Sequence, residues 1–148
     1  MSTRSYIGIR EKDGTFNLVY CHWDGYIGWN GNVLYNHYKS EGKIRKLLAM
    51  GNMSCLGEEI GGNDPIDEED NGKYCIFYHR DKGESFASPT HLPKMSGKSL
   101  VKWLFNDTWG EYIYVFDVAT QKWYVNNAKN NAMVTLKYRI SKEKNKKV

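Results

Sequence analysis

Apolar and polar residues alternate with a period of two over several short runs, and between these runs apolar residues recur at helical spacing. Alternation marks a half-buried strand, and spacing of three and four marks an amphipathic helix. Residues 6–10 and 16–23 are the first such runs, and Asp13-Gly14 between them is a strong hairpin turn. In the second run Phe16, Leu18, Tyr20 and His22 fall on one face. Asn17, Val19, Cys21 and Trp23 fall on the other.

A glycine-rich turn, Gly25 to Gly31, then leads into a helical pattern carried by Val33, Leu34, His37 and Tyr38, with Asn30 or Asn32 as its cap. Ser40 restarts the helix, Ile44, Leu47 and Leu48 form its apolar stripe, and Gly51 suits its C-terminal end. Residues 74–78 predict a strand, 96–105 a short helix with Leu100, Val101, Leu104 and Phe105 inward, and 111–117 with 122–125 a hairpin. Residues 133–140 predict a last strand. Residues 52–57 are expected to be a plain connection, and Pro89 and Pro93 predict an irregular stretch around 88–93.

These elements predict an α+β fold. A mostly antiparallel sheet of five to six strands would carry two to three helices packed on one face. Residues 1–140 would form one globular domain. Seven carboxylates between Glu58 and Asp70, together with Gly61, Gly62 and Pro65, predict a mobile acidic loop over 58–72.

Charge changes this picture little. The formal net charge is +4, but Lys142, Lys144, Lys146 and Lys147 against Glu143 place +3 of it in residues 141–148. That segment is expected to be a basic flexible tail, and the body is left at +1. A near-neutral body argues against a broad nucleic-acid face, so direct nucleic-acid binding is not expected. The acidic loop keeps nucleic-acid mimicry as an alternative. Aromatic residues make up 14% of the chain, which suits both a core and a recognition surface. Three cysteines without a CxxC pair suit a reducing, cytoplasmic setting. No run of 18 apolar residues predicts a membrane span.

Two groups bear on chemistry. Cys21, His22 and Asp24 hold a thiol, an imidazole and a carboxylate within four positions. A thiol becomes a nucleophile when an imidazole can take its proton. Strand alternation points Cys21 and His22 to opposite sides, which favours a buried anchoring thiol. The second group is His79, Arg80, Asp81 and Glu84, where Arg80 can hold a carboxylate or phosphate bidentately. If the two strands are neighbours, His22, Asp24, His79 and Asp81 line one rim and give the rival reading, a small hydrolase or transferase. The histidines lack metal-site spacing, and the glycine-rich turn lacks the P-loop lysine, so neither a metal nor a cofactor is expected.

The run Tyr20-Cys21-His22-Trp23-Asp24-Gly25-Tyr26, with Gly28, Leu34, His37-Tyr38 and Leu56-Gly57, resembles a group of small, mostly uncharacterised phage and prophage proteins. Tyr78-His79-Arg80-Asp81-Lys82-Gly83-Glu84 and the run from Glu111 to Asp117 are further marks of that group. The resemblance covers residues 5–125 and carries no catalytic roles. It implies an accessory protein that acts in the host cytoplasm by binding. The expected function is therefore recognition of a host protein or small ligand, with countering host defence as one such role. The expected binding residues are Trp23, Asp24, Tyr26, Trp29, His79, Arg80, Asp81 and Glu84, types that include the usual aromatic and arginine hot spots.

Overall fold

A computed structural model describes residues 2–66, 73–127 and 131–145. The first hairpin forms around its predicted turn. Strands β1 (Ser5–Arg10) and β2 (Phe16–Cys21) pair antiparallel, with Tyr6 opposite Tyr20 and Arg10 opposite Phe16. Gly14 takes the left-handed conformation, and Asp13 accepts hydrogen bonds from the Thr15 amide and hydroxyl.

The chain then passes through a π-helical turn, Ile27–Gly31, straight into α1 (Asn32–His37). Neither Asn30 nor Asn32 caps it. Asn30 is drawn into the core, and Asn32 donates to the Gly28 carbonyl. Helix α2 (Glu41–Ala49) starts as expected, with the Ser40 hydroxyl accepting from the Lys43 amide, and buries Ile44, Leu47 and Leu48.

Strand β3 (Met53–Cys55) follows, then β4 (Ile76–Phe77), β5 (Thr90–Leu92), α3 (Gly97–Asp107), β6 (Tyr112–Asp117), β7 (Lys122–Asn126), β8 (Met133–Thr135) and α4 (Leu136–Asn145). The sheet order is β4-β3-β2-β1-β6-β7-β8, and β5 also pairs with β2. The β1–β6 and β2–β3 pairs are parallel. Among the described residues the sheet is therefore a mixed eight-stranded one with four helices, which corrects the expected five to six strands and two to three helices, while five of the seven strand pairings are antiparallel as expected.

Each discrepancy has a local cause. Strands β3 and β5 have only three residues each, too few to show a period. They are defined by sharing the outer edge of β2, β3 at Cys21 and β5 at residues 16–18. The expected strand over 133–140 ends at Thr135. The Thr135 hydroxyl accepts the Tyr138 amide, an N-cap that turns the chain into α4, and Arg139 meets Glu143 one turn on. Residues 141–145 of the expected tail belong to this helix, and 146–148 lie outside the described residues.

The helices also lie on both faces. Ile7, Ile9, Val19, Tyr114, Phe116 and Val125 form the larger core with α1, α2 and Leu136 of α4. Phe16, Leu18, Ile113 and Val115 form a second core with Leu100 and Leu104 of α3. A central strand that is apolar on both sides needs cover on both sides, so one helical layer does not suffice. Among the described residues no helix is long and apolar enough to cross a membrane.

Candidate functional site

Strand alternation decides the fate of the Cys21–His22 pair. Cys21 is fully buried on the side of the larger core, and burial pushes its thiol up to about 12. Its sulfur lies 3.5 Å from the Asn30 amide nitrogen, which also donates to the Ser5 hydroxyl at 3.1 Å. His22 faces the other way, with Nδ1 2.7 Å from the Tyr20 hydroxyl. A thiol at this depth is protonated at neutral pH and has no imidazole to draw on its proton.

Asp24 then adopts φ 57°, which ends the extended backbone. Its carbonyl accepts the Asn30 amide, the Gly25 amide donates to Thr3, and the Tyr114 hydroxyl reaches the Gly25 carbonyl at 2.6 Å. A Cβ on Gly25 would stand 2.7 Å from the Thr3 carbonyl oxygen, so this close approach needs glycine. The Trp29 indole donates to the Leu56 carbonyl. Asp24, Trp29 and Asn30 thus hold the corner together, while Tyr26 projects into solvent.

The second predicted group is a knot. The side chains of Arg80 and Asp81 are 4% and 0% exposed. Arg80 donates from Nε and Nη2 to the two carboxylate oxygens of Asp81, from Nη1 to the carbonyls of Ile60 and Gly62, and from Nη2 to that of Cys75. These five bonds use all five of its N–H donors. Asp81 also accepts the Ile66 and Phe77 amides. Burial alone would raise the Asp81 carboxyl, but Arg80 and the two amides outweigh it and hold it below its ordinary range.

The pair therefore ties the described part of the acidic loop, residues 58–66, to the end of β4. The remainder of that expected mobile loop, 67–72, lies outside the described residues. His79 and Glu84 are exposed beside it, with His79 Nδ1 at 2.8 Å from the Glu84 carbonyl and its ring edge-on to Phe86. His22, Asp24, His79 and Asp81 each engage different partners. Among the described residues, no three His, Cys, Asp or Glu side chains are grouped as metal ligands.

The feature that sequence reasoning missed lies around His22. The rings of Trp103, Tyr6, Tyr20, His22 and Trp23 form a continuous chain of edge-to-face contacts, with centroids 5.1, 5.6, 6.0 and 4.7 Å apart. Tyr6 and Tyr20 meet because they are cross-strand partners, and that register follows from the Asp13-Gly14 turn. Trp23 joins the chain because alternation stops when β2 ends at Cys21.

Beside these rings lies an open depression of about 590 Å³, lined by Arg4, Tyr6, Tyr20, Asp107, Thr108 and Trp109. Trp109 is 84% exposed and Trp23 44%. The backbone under Trp109 is fixed. Thr108 bonds Leu104 and the Gly110 amide, and the Glu111 amide donates to the Arg4 carbonyl. The Arg4 Nε is buried without a hydrogen-bond partner. Exposed rings on fixed backbone beside an arginine lose little entropy when covered. Of the predicted residues only Trp23 belongs to this surface, and Arg4, Tyr6, Tyr20, Trp103 and Trp109 are additions to it. No protein-family model, no curated protein and no solved structure matches this chain.

Proposed function

We propose that this protein acts by binding a partner protein through the surface that runs from Trp109 and Arg4 across Tyr6 and Tyr20 to Trp23. The observation that carries this reading is the pairing of an 84%-exposed tryptophan with Tyr6 and Tyr20, two rings of the five-ring chain, around one depression. Tryptophan, tyrosine and arginine are the side chains that dominate binding energy in protein interfaces. Arg4 adds chemistry: it lines the depression, and its positive charge suits a carboxylate on the partner, set among apolar side chains that cover the rings. The host and mobile-element setting rests on the resemblance of the Tyr20–Tyr26 and Tyr78–Glu84 motifs alone.

An enzymatic rim has less support. His22 is engaged by Tyr20, His79 by the Glu84 carbonyl, and Asp81 by Arg80.

The test is site-specific photocrosslinking from position 109 in a host cell extract, with position 86, another exposed aromatic site, as control. Affinities for the captured protein, once purified, are then measured. Trp109→Ala and Arg4→Ala are each expected to weaken binding about tenfold or more with the fold retained. Equal capture from both positions, or unchanged affinity in both variants, contradicts the assignment.

A further inference from the structure

On the opposite face of the sheet, between α1, β7 and the start of α4, lies a cavity of about 440 Å³. Tyr35, Phe116 and Trp123 give it aromatic walls, and Lys39, Lys122 and Lys137 line it with positive charge. It is separate from the Trp109 surface and shares no residue with it.

Its aromatic part is rigid. Trp123 is held by its indole N–H on the Tyr38 carbonyl at 2.9 Å and packs edge-on against Phe116 at 5.6 Å. Its charged part is unbalanced. Among the described residues no carboxylate lines the cavity. Glu41, the acid nearest in the bonding network, is already occupied by Arg45 and by Gln121 at the cavity edge. Asp117, opposite Lys122 in the β6–β7 ladder, faces Arg10. Among the described residues none of the three lysines has a carboxylate partner. Lysines spread over a convex helix face are ordinary solvated charges. Three around one concave site raise a positive potential that an anion relieves. The volume is in the range of small-ligand sites.

We propose that this cavity binds a small anion bearing a flat ring, of the nucleoside phosphate class. The phosphate oxygens lie against Lys39 and Lys137, and the ring packs against Tyr35 and the accessible edge of Trp123. Both halves of the ligand are required by the lining: the lysines select the charge and the aromatic walls select the ring.

The full chain is titrated with AMP, ADP and inorganic pyrophosphate, followed by calorimetry and tryptophan fluorescence. Saturable nucleotide binding is expected. Lys39→Glu and Lys137→Glu should each weaken it about tenfold. Lys46→Glu, on the wet side of α2, should leave it unchanged. Tyr35→Ala should weaken ADP binding and spare pyrophosphate. Circular dichroism confirms that each variant is folded. Two results overturn the proposal: no saturation up to about 5 mM of any probe, or affinity unmoved in both cavity-lysine variants. Equal affinity for pyrophosphate and ADP overturns the requirement for a ring.

Discussion

Arg80 and Asp81 are consecutive in the chain, yet they face each other through two hydrogen bonds, Nε to Oδ1 at 2.8 Å and Nη2 to Oδ2 at 3.0 Å. Between them they also fix residues 60, 62, 66, 75 and 77. Removing one member leaves a buried charge without its counterpart, at a cost of about 3–5 kcal/mol. Arg80→Ala is therefore expected to lower the unfolding free energy by that amount in a denaturant titration. Faster amide exchange at Ile66 and Phe77 should accompany it.

The same pair sets an acid limit. The ordinary carboxyl value for Asp81 is 3.8, and its value in the folded chain is lower. Its stabilisation is thus fully present above about pH 4 and is lost as pH falls through the depressed value. The difference in melting temperature between the parent and Asp81→Asn should be constant from about pH 7 to 5 and shrink below about pH 4. Glu11, held low by its hydrogen bond from Arg45, and Glu41, held low by Gln121 and Arg45, titrate in the same range in both proteins and cancel.

Thiol labelling should divide the cysteines. Cys21 and Cys75 are buried, and burial raises both. At pH 8 the Cys21 thiol, near 12, is ionised in about one molecule in ten thousand. Half-buried Cys55 is expected to react first with iodoacetamide in the native protein. Cys21 and Cys75 should label only once the chain unfolds, as peptide mapping reads out.

Gly8 allows no side chain. A Cβ there would overlap the Asn17 carbonyl oxygen and the side chain of Leu18, its cross-strand partner. Leu18 fills that space in the second core. Gly8→Ala should cost about 3 kcal/mol, measured by thermal unfolding, whereas Trp109→Ala at the exposed turn should change stability by no more than about 0.5 kcal/mol.

Legibility in the sequence followed how locally each feature is determined. The first hairpin and α2 were readable because Asp13-Gly14, Ser40 and Gly51 act within a few residues. So was the opposite facing of Cys21 and His22. Strands β3 and β5 were not, because a three-residue strand is defined by its neighbour, here the edge of β2. The Thr135 cap was visible in principle, but the β-branched run from Val134 concealed it. Arg80 was singled out as a ligand-binding group because a guanidinium beside a glycine-rich charged turn suggests an open site. Its donors are taken by carbonyls as far as 20 positions away in sequence, which no local pattern reveals. The ring chain around Tyr6 and Tyr20 was half available from the hairpin register. Trp103 joins it only through the placement of α3, and Trp109 lines the neighbouring depression just after that helix ends.

The parallel pairing of β1 with β6 has a consequence for how the chain acquires its structure. Ser5 meets Tyr112 and Arg10 meets Asp117, so the innermost strand waits for a partner made about a hundred residues later. During synthesis the first hairpin is exposed along one side for most of that time, an open edge that favours pairing with other chains. Such long-range closure slows folding. Once closed, the same pairing makes the first and last thirds of the chain mutually dependent, so losing β6 by truncation would release β1 and unfold both layers together.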